Sequence, residues 1–126
     1  MSKERAKGTA WETLIVTQLQ ESGWLHAERR ALHGAIDKGD IVGIPGVVIE
    51  AKAAARFDLA GWLDETQKEA LNADAHVGVV WIKRPRKGRA LDGYILMTPA
   101  TLIGLLRDAG YGPSLGAHSA LTAALA

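Results

Sequence analysis

Apolar residues recur at helical intervals in three segments of this chain, which predicts three helices. Residues 9 to 22 carry apolar side chains three and four positions apart, and Gly23 marks the end of this segment. Residues 58 to 73 repeat the spacing, with Asp58 as the predicted N-cap. Pro99 suits the first position of a third helix, because it has no backbone N–H to leave unsatisfied there.

Shorter apolar runs lie between these segments and predict the strands of one sheet. Asp40 opens one of them, and the others lie at residues 24 to 32, 47 to 52, 76 to 82 and 90 to 97. The predicted fold class is α/β, with a central mixed sheet of about five strands flanked by helices in the order α-β-β-β-α-β-β-α. We expect one domain over residues 1–112 and an apolar, uncharged tail over 113–126, either an interface helix or disordered.

The composition is that of a small globular domain without disulfides or membrane segments. At 126 residues the chain can bury one core, and it contains no cysteine for a disulfide or a thiolate metal site. No apolar run approaches the roughly 20 residues of a membrane span, and the N-terminus lacks the apolar core of a signal peptide. We therefore expect a cytoplasmic protein that does not associate with membranes.

The segment from residue 39 to residue 52 carries the strongest chemical signal. Asp40 starts one apolar run, and after a Pro-Gly turn Glu50 and Lys52 end the next one. Because strand side chains alternate between faces, Glu50 and Lys52 point to the same side. Carboxylates are ligands that Mg²⁺ or Mn²⁺ prefers, and a neighbouring lysine can hold an attacking water. The alternative is an ordinary solvated edge or a cross-strand ion pair.

The segments Gly39-Asp40 and Glu50-Ala51-Lys52 resemble the two motifs of the PD-(D/E)XK, or restriction-endonuclease-like, nuclease superfamily. The proline of the first motif is absent here. With the helix that carries Glu12, the likeness covers roughly residues 7 to 107 and is closest to small phage-encoded Holliday-junction resolvases. It implies the restriction-endonuclease-like core and one or two Mg²⁺ ions, replaceable by Mn²⁺. Asp40, Glu50 and the Ala51 backbone carbonyl would bind the metal, and Lys52 would position the attacking water.

The resemblance also implies roles at the metal site for two helical residues, Glu12 and Gln67. Each of these residues has an alternative interpretation. Glu12 would complete the metal shell directly or through water, as a helical glutamate does in these resolvases. Thr9 followed by Glu12 is also the pattern of a capping box, in which Glu12 would only stabilise the helix end. Gln67 would orient a ligand or a water near the metal, or would be an ordinary residue beside the apolar face.

The net charge of +1 gives no indication of nucleic-acid binding, but the distribution of the cations does. Five of the seven residues from 83 to 89 are basic, in a loop bent by Pro85 and Gly88, and they would contact DNA phosphates. The alternative is a hairpin tip that only confers solubility. Arg29 and Arg30 could brace the scissile phosphate. The predicted DNA contacts are Arg29, Arg30, His33, Lys38, Lys83, Arg84, Arg86, Lys87 and Arg89.

These features together predict a metal-dependent DNA endonuclease. The resemblance implies hydrolysis that leaves a 5′-phosphate and a 3′-hydroxyl, with branched four-way junctions as substrates in DNA recombination and repair. One site per chain and two symmetric nicks predict a homodimer, with the tail and the third helix as candidate surfaces. No Gly-rich phosphate loop indicates a nucleotide cofactor. The alternatives are a nicking, flap-cutting or restriction-like nuclease with the same site, or a non-catalytic DNA-binding domain of this fold.

Overall fold

Five strands form one mixed sheet, which three helices flank. The computed structural model describes residues 3–30 and 39–112. In chain order the elements are α1 (Lys3–Glu21), β1 (Glu28–Arg29), β2 (Ile41–Val42), β3 (Val47–Lys52), α2 (Leu59–Asn72), β4 (Val77–Ile82), a 3-10 turn (Ala90–Asp92), β5 (Tyr94–Leu96) and α3 (Pro99–Asp108). The predicted α/β class, the element order and the number of strands are confirmed. The tail predicted over 113–126 lies outside the described residues.

β3 is the middle strand of the sheet, and the direction of pairing changes beside it. The strand order is β1-β2-β3-β4-β5. β1 pairs antiparallel with β2, and β2 with β3, whereas β3 and β4 run parallel with Val47 opposite Val77 and Lys52 opposite Ile82. The parallel pair requires a crossover, which α2 supplies, and β5 completes the sheet antiparallel to β4.

Alternation along β3 divides its side chains between two layers. Ile49 belongs to the main core, which lies between α1 and the sheet. The other buried members of this core are Trp11, Ile15, Leu19, Ala27, Ile41, Val77, Val79 and Ala90. Val48 and Glu50 point to the opposite face, against which α2 packs. Gly78 on β4 allows α2 to come close, because a Cβ there would lie only 3.2 Å from the Ala70 Cβ.

α1 begins at Lys3, well before the predicted start at residue 9. Thr9 is therefore inside the helix, where its carbonyl accepts a hydrogen bond from the Thr13 hydroxyl at 3.0 Å. The capping-box interpretation of Glu12 is wrong, because unsatisfied N–H groups occur only in the first turn of a helix. The predicted end is confirmed, since Gly23 has a φ of +115° just after the last helical turn.

The two edge strands are shorter than predicted, because turns occupy the residues before them. β1 begins at Glu28 rather than at residue 24, since the Ala27 N–H bonds the Trp24 carbonyl within a turn. β5 begins at Tyr94 rather than at residue 90, because residues 90–92 form the 3-10 turn. The Trp81 indole N–H holds that turn by donating to the Ala90 carbonyl at 2.9 Å.

α2 and α3 begin where the sequence predicts. The Asp58 carboxylate accepts the Gly61 N–H at 3.0 Å, which is the predicted N-cap of α2. The Thr98 hydroxyl accepts the Thr101 N–H at 3.1 Å, and Pro99 is the first residue of α3. Within the described ranges, no helix combines the length and the apolar character needed to cross a membrane.

The hairpin of β2 and β3 depends on a glycine. Gly43 has a φ of +102°, in the left-handed region that residues with a side chain rarely adopt. A Cβ at this position would collide with the backbone of His26 and lie 2.9 Å from the Ala27 Cα. Gly8 in α1 is the opposite case, because a Cβ there would have nothing within 4 Å.

We expect alanine to have opposite effects at these two glycines. Gly8→Ala should raise the free energy of unfolding by about 1 kcal/mol, since alanine loses less backbone entropy than glycine in a helix. Gly43→Ala should lower it by more than about 1 kcal/mol, since backbone strain and steric overlap add. Urea unfolding followed by circular dichroism measures both changes. A similar effect of the two substitutions would contradict the described hairpin.

Candidate metal centre

The hairpin of β2 and β3 brings Asp40 beside Glu50. Ile41 pairs with Ile49, and the Asp40 N–H also donates to the Ile49 carbonyl at 3.1 Å. The Asp40 carboxylate is close enough to raise the pKa of Glu50 through its charge and a hydrogen bond. The Asp40 carboxylate also accepts the Ala51 N–H at 2.9 Å, which holds it against β3. The structure thus brings together the two carboxylates that the sequence singles out.

The Ala51 carbonyl is oriented toward the same place. The N–H and C=O groups of one strand residue point to the same edge of the strand. Because the Ala51 N–H points to Asp40, its carbonyl also faces the β2 side. The next carbonyl along β3, that of Lys52, faces β4 instead and accepts the Lys83 N–H at 2.8 Å. The main-chain oxygen that the resemblance implies as a ligand is therefore on the side of Asp40.

Glu50 is buried at the end of β3 among other acids. Its side chain is 7% exposed, and its Oε2 atom has no hydrogen-bond partner among the described residues. Burial, a hydrogen bond with Glu69 and the charge of Asp40 raise the pKa of Glu50 to about 12. A buried carboxylate oxygen without a donor is unfavourable, and coordination of a cation would satisfy it.

Lys52 supplies a positive charge within this group of acids. Its Nζ atom lies 3.7 Å from Glu50 Oε1, 3.2 Å from Glu65 Oε1 and 5.8 Å from the centre of the Trp62 ring. Burial pulls the pKa of Lys52 down, but attraction to Glu50 and Glu65 outweighs it, so the pKa is raised. Lys52 therefore stays an ammonium at neutral pH, where it can donate hydrogen bonds but cannot accept a proton.

α2 contributes two carboxylates that the sequence analysis missed. Glu65 and Glu69 lie one helical turn apart, and one carboxylate oxygen of each and one of Glu50 lie within 4.8 Å of one another. Burial raises the pKa of Glu65, but a hydrogen bond from Glu50 and the charge of Lys52 outweigh it, so the pKa is lowered. The signal in the sequence was the i, i+4 spacing of these glutamates on the side of α2 that carries the buried Ala70.

Gly39, the residue before Asp40, makes room for Glu69. A Cβ at Gly39 would lie 2.7 Å from Val48 Cγ1 and 3.4 Å from Glu69 Oε2. The φ of +96° at Gly39 also lies in the left-handed region. Two structural features therefore favour glycine at position 39. The backbone there turns into β2 with a positive φ, and a carboxylate of α2 comes close to the position that a Cβ would occupy.

Glu12 approaches Asp40 from α1. Its carboxylate lies 3.8 Å from the Arg29 Nε atom. Burial and the charge of Asp40 raise the pKa of Glu12, and the charge of Arg29 partly opposes this. The helical glutamate that the resemblance implies is therefore near the aspartate. Its role as a metal ligand stays a prediction.

Outside residues 83–89, the structure describes two further residues that the sequence predicts for the site, Gln67 and Arg30. Gln67 lies two residues from each glutamate of α2 and so on roughly the opposite side of the helix, which keeps it away from the carboxylates. Arg30 lies across the ladder from Asp40, and its N–H donates to the Asp40 carbonyl at 2.8 Å. His33 and Lys38 lie outside the described residues.

The basic loop between β4 and β5 is exposed, and two of its cations have partners within the chain. The Arg84 guanidinium lies 5.8 Å from the centre of the Tyr94 ring, and Arg89 Nε lies 3.8 Å from the Asp92 carboxylate. The other cations of the loop, also exposed, are Lys83, Arg86 and Lys87. Because β3 and β4 run parallel, the loop leaves β4 at the end of the sheet where β3 carries Lys52.

In chemical terms the site is a set of oxygen ligands beside one ammonium group. Asp40, just before β2, lies beside Glu50 and Ala51 of β3, and Glu12 approaches from a helix. These residues fit a divalent cation on two grounds. One is the buried Glu50 oxygen without a donor, and the other is the preference of Mg²⁺ and Mn²⁺ for carboxylate and carbonyl oxygens.

Comparisons with known proteins do not place this chain in a family. No protein-family model, no curated protein and no solved structure matches it. The resemblance to the PD-(D/E)XK nucleases stays a prediction from the sequence.

Replacing Glu50 with glutamine should stabilise the protein when divalent cations are absent. Glutamine keeps the shape of the side chain but removes the ionisable group, whose burial beside Glu69 and Asp40 is unfavourable. At neutral pH we expect the free energy of unfolding to rise by roughly 1–2 kcal/mol, measured by urea unfolding in EDTA. A clear loss of stability would contradict the described environment of Glu50.

The raised pKa of Glu50 also gives the sign of the pH dependence. The cost of this group is absent below its ordinary pKa of 4.5 and grows as the pH rises above that value. The advantage of Glu50→Gln should therefore vanish near about pH 4 and increase toward neutral pH. The matched control is Glu28→Gln on the exposed strand β1, which should change the unfolding free energy by less than about 0.5 kcal/mol throughout.

Proposed function

We propose that this protein is a Mg²⁺-dependent DNA endonuclease of the PD-(D/E)XK type that resolves four-way junctions. The observation that carries the proposal is the approach of the Asp40 carboxylate to Glu50 on β3, with the Lys52 ammonium 3.7 Å from Glu50. These are the groups that the two motifs of that superfamily would deliver to one site. The hairpin, the α2 crossover and the parallel strand β4 follow in the order that the resemblance implies.

Asp40, Glu50 and the Ala51 carbonyl would hold the metal, and Glu12 would join them directly or through a water. The bound ion, Mg²⁺ or Mn²⁺, would lower the pKa of a water and offset negative charge at the scissile phosphate. The protein fixes the ligands beforehand. The Ala51 N–H holds the Asp40 carboxylate at 2.9 Å, and Arg29 lies 3.8 Å from Glu12.

Lys52 would orient the attacking water by donating a hydrogen bond to it. Its raised pKa keeps the ammonium protonated, so Lys52 does not accept the proton of that water. The Trp62 ring and the Glu65 carboxylate hold the ammonium beside Glu50. The proposed attack is in line with the leaving group and leaves a 5′-phosphate and a 3′-hydroxyl.

DNA would approach the end of the sheet where Lys52 and the basic loop lie together. The exposed cations of the loop would contact phosphates on either side of the scissile bond. Arg30 lies across the ladder from Asp40, where a guanidinium could reach the scissile phosphate. The basic loop and Arg30 therefore both support the proposal that DNA binds at this end of the sheet.

Two symmetric nicks in one junction require two sites, and the proposal therefore includes a homodimer. α3 supports a role in it, because Leu102, Ile103 and Leu106 are between 41 and 50% exposed. Leu105 on the same helix packs against the core. A helix that is apolar on its inner and its outer side is typical of one that a partner covers.

Other nucleases remain the second candidate. A nicking, flap-cutting or restriction-like enzyme would use the same carboxylates, and only the shape of the substrate would differ. A non-catalytic DNA-binding domain is less well supported, since a buried cluster of acids is costly without a cation. A bacterial cytoplasmic location, a phage origin and a role in recombination or repair follow from the resemblance and stay predictions.

Asp40→Asn should abolish cleavage while DNA binding is retained. The substitution removes the charge of a metal ligand, and it also reduces repulsion between the site and phosphates. We expect the rate on a four-way junction in Mg²⁺ to fall by at least about 100-fold, with binding equal to wild type or tighter. The matched control is Asp64→Asn, on the exposed side of α2, which should cut at the wild-type rate.

The same assay distinguishes the candidate functions when it includes flaps, plain duplex and single strands. Paired symmetric nicks that are specific to junctions, made by a protein that sediments as a dimer, would support the resolvase. Equal cutting of all duplex forms would support a general nuclease. Unchanged cleavage by Asp40→Asn would contradict the proposed site.

Neutralising the tip of the basic loop should weaken binding to every form of DNA. The variant is Arg86→Asn with Lys87→Gln, because asparagine tolerates the φ of +63° at position 86. If both cations contact phosphates, the slope of log affinity against log salt should flatten by about 2. The control is Lys68→Gln with Arg107→Gln, which removes two cations from α2 and α3. An equal change in the control would show that net charge alone is responsible.

A further inference from the structure

Three aromatic side chains lie together at the end of the sheet where β3 carries Lys52. Phe57 precedes α2, Trp62 lies in the first turn of α2, and Tyr94 begins β5. The centre of the Phe57 ring lies 5.6 Å from that of Trp62 and 6.1 Å from that of Tyr94. We call Phe57, Trp62 and Tyr94 the aromatic cluster.

The register of the sheet puts the aromatic cluster beside the candidate metal centre. Lys52 on β3 is paired with Ile82 on β4, and Ile82 is paired with Tyr94 on β5. The backbones of Lys52 and Tyr94 are therefore two strands apart, or about 10 Å. Trp62 lies on the Lys52 side of the cluster, because the Lys52 ammonium is 5.8 Å from the centre of its ring.

Two rings of the aromatic cluster are open to solvent. Phe57 is 37% exposed and Tyr94 is 43% exposed, whereas Trp62 is partly buried. Neither pair of rings is stacked face to face, because the ring planes of Phe57 and Trp62 meet at 50° and those of Phe57 and Tyr94 at 81°. The exposed rings therefore retain surface for a further planar group. Exposed apolar groups that polar residues border are typical of a binding site.

Cations border the exposed rings. The Arg84 guanidinium lies 5.8 Å from the centre of the Tyr94 ring, and Arg56 is the exposed residue before Phe57. The other cations of the basic loop lie on both sides of Arg84 in the chain. A ligand that matches this surface combines a planar apolar group with negative charge. A nucleotide of single-stranded DNA has both, because every base can stack on an aromatic ring and a phosphate lies beside it.

Paired duplex DNA matches the aromatic cluster less well than an unpaired nucleotide does. Bases in a duplex stack on their neighbours, and a protein reaches the face of a base only after the nucleotide leaves the stack. That step costs least where the nucleotide is already unpaired. The exposed rings therefore favour DNA that contains an unpaired nucleotide.

We propose that the aromatic cluster stacks an unpaired nucleobase of the substrate while Arg84 binds a phosphate next to it. Phe57 and Tyr94 provide the ring surfaces, and Trp62 supports Phe57 from the side of Lys52. The site thereby selects DNA in which a nucleotide near the scissile phosphate is unpaired. The position of this nucleotide near the scissile phosphate rests on the proposed nuclease function, whereas the stacking itself does not.

Binding of two fluorescently labelled single strands, in EDTA to prevent metal-dependent cleavage, tests the site. One strand is an oligothymidylate, and the other is an abasic chain of equal length that keeps the phosphates and lacks the bases. We expect Phe57→Leu and Tyr94→Leu each to weaken binding of the oligothymidylate by about tenfold and to leave binding of the abasic chain unchanged. Fluorescence anisotropy measures both affinities. The matched control Tyr111→Leu replaces an exposed tyrosine after α3 and should bind both strands like wild type.

Arg84→Gln should weaken binding of both strands, because both carry the phosphates. The slope of log affinity against log salt should flatten by about 0.7, the value for one phosphate contact on a single strand. Arg107→Gln on α3 is the matched control and should leave the slope unchanged. Phe57 lies outside the helices and strands, so Phe57→Leu still tests the stacking if Tyr94→Leu disturbs β5.

The failure of this site can be distinguished from the failure of the nuclease proposal. A wild-type protein that does not prefer the oligothymidylate, or ring variants that lose affinity for both strands equally, would overturn the stacking site. Base-dependent binding by a protein that cuts no DNA would support the site and contradict the nuclease. Cleavage of junctions by a protein whose ring variants bind the oligothymidylate like wild type would contradict the stacking site and leave the nuclease proposal intact.

Discussion

The alternation of side chains along the six residues of β3 is the constraint on which the rest of this structure depends. Ile49 faces α1 and the main core, while Glu50 and Lys52 face α2. A slip of one residue would put the carboxylate into the apolar core and the isoleucine among the acids. Pairing on both edges prevents this, because β2 fixes one side and six consecutive residue pairs with β4 fix the other.

The apolar layer beneath the sheet supports a site that is unfavourable by itself. The acids repel one another, and the burial of Glu50 adds to that cost. Two indole groups help to hold the scaffold around them. The Trp11 N–H donates to the Trp81 carbonyl at 3.1 Å, and the Trp81 N–H donates to the Ala90 carbonyl at 2.9 Å. These bonds tie α1, β4 and the 3-10 turn together behind the carboxylates.

The parts of the site that depend on local structure were predictable from the sequence, and the parts that depend on packing were not. Asp40 and Glu50 meet because a short hairpin joins them, and turn residues and strand alternation reveal such a hairpin. The contribution of Glu65 and Glu69 depends on how α2 rotates against the sheet, which the spacing of its apolar residues defines only loosely. Gln67 was assigned from resemblance alone and faces another direction.

The predicted starts of α1 and β1 were wrong because local sequence patterns do not define where an element begins. The pattern of Thr9 and Glu12 resembles a helix start, yet the helix extends to Lys3, because polar residues before Thr9 are compatible with an exposed first turn. The start of β1 was predicted too early because residues after α1 are apolar enough for a strand but form turns. Local patterns indicate which elements exist more reliably than where they end.

The acids of the candidate centre come from three elements, α1, β3 and α2, and from Asp40 just before β2, so the full set exists only in the folded chain. A cation held by them would bind the native state and not the unfolded one, and its binding free energy would add to stability through mass action. At a free cation concentration of a hundred times Kd, that gain is about 2.7 kcal/mol. This is a large share of the total stability of a small domain. The lifetime of the folded protein, and its resistance to proteolysis, would then follow the supply of divalent ions around it.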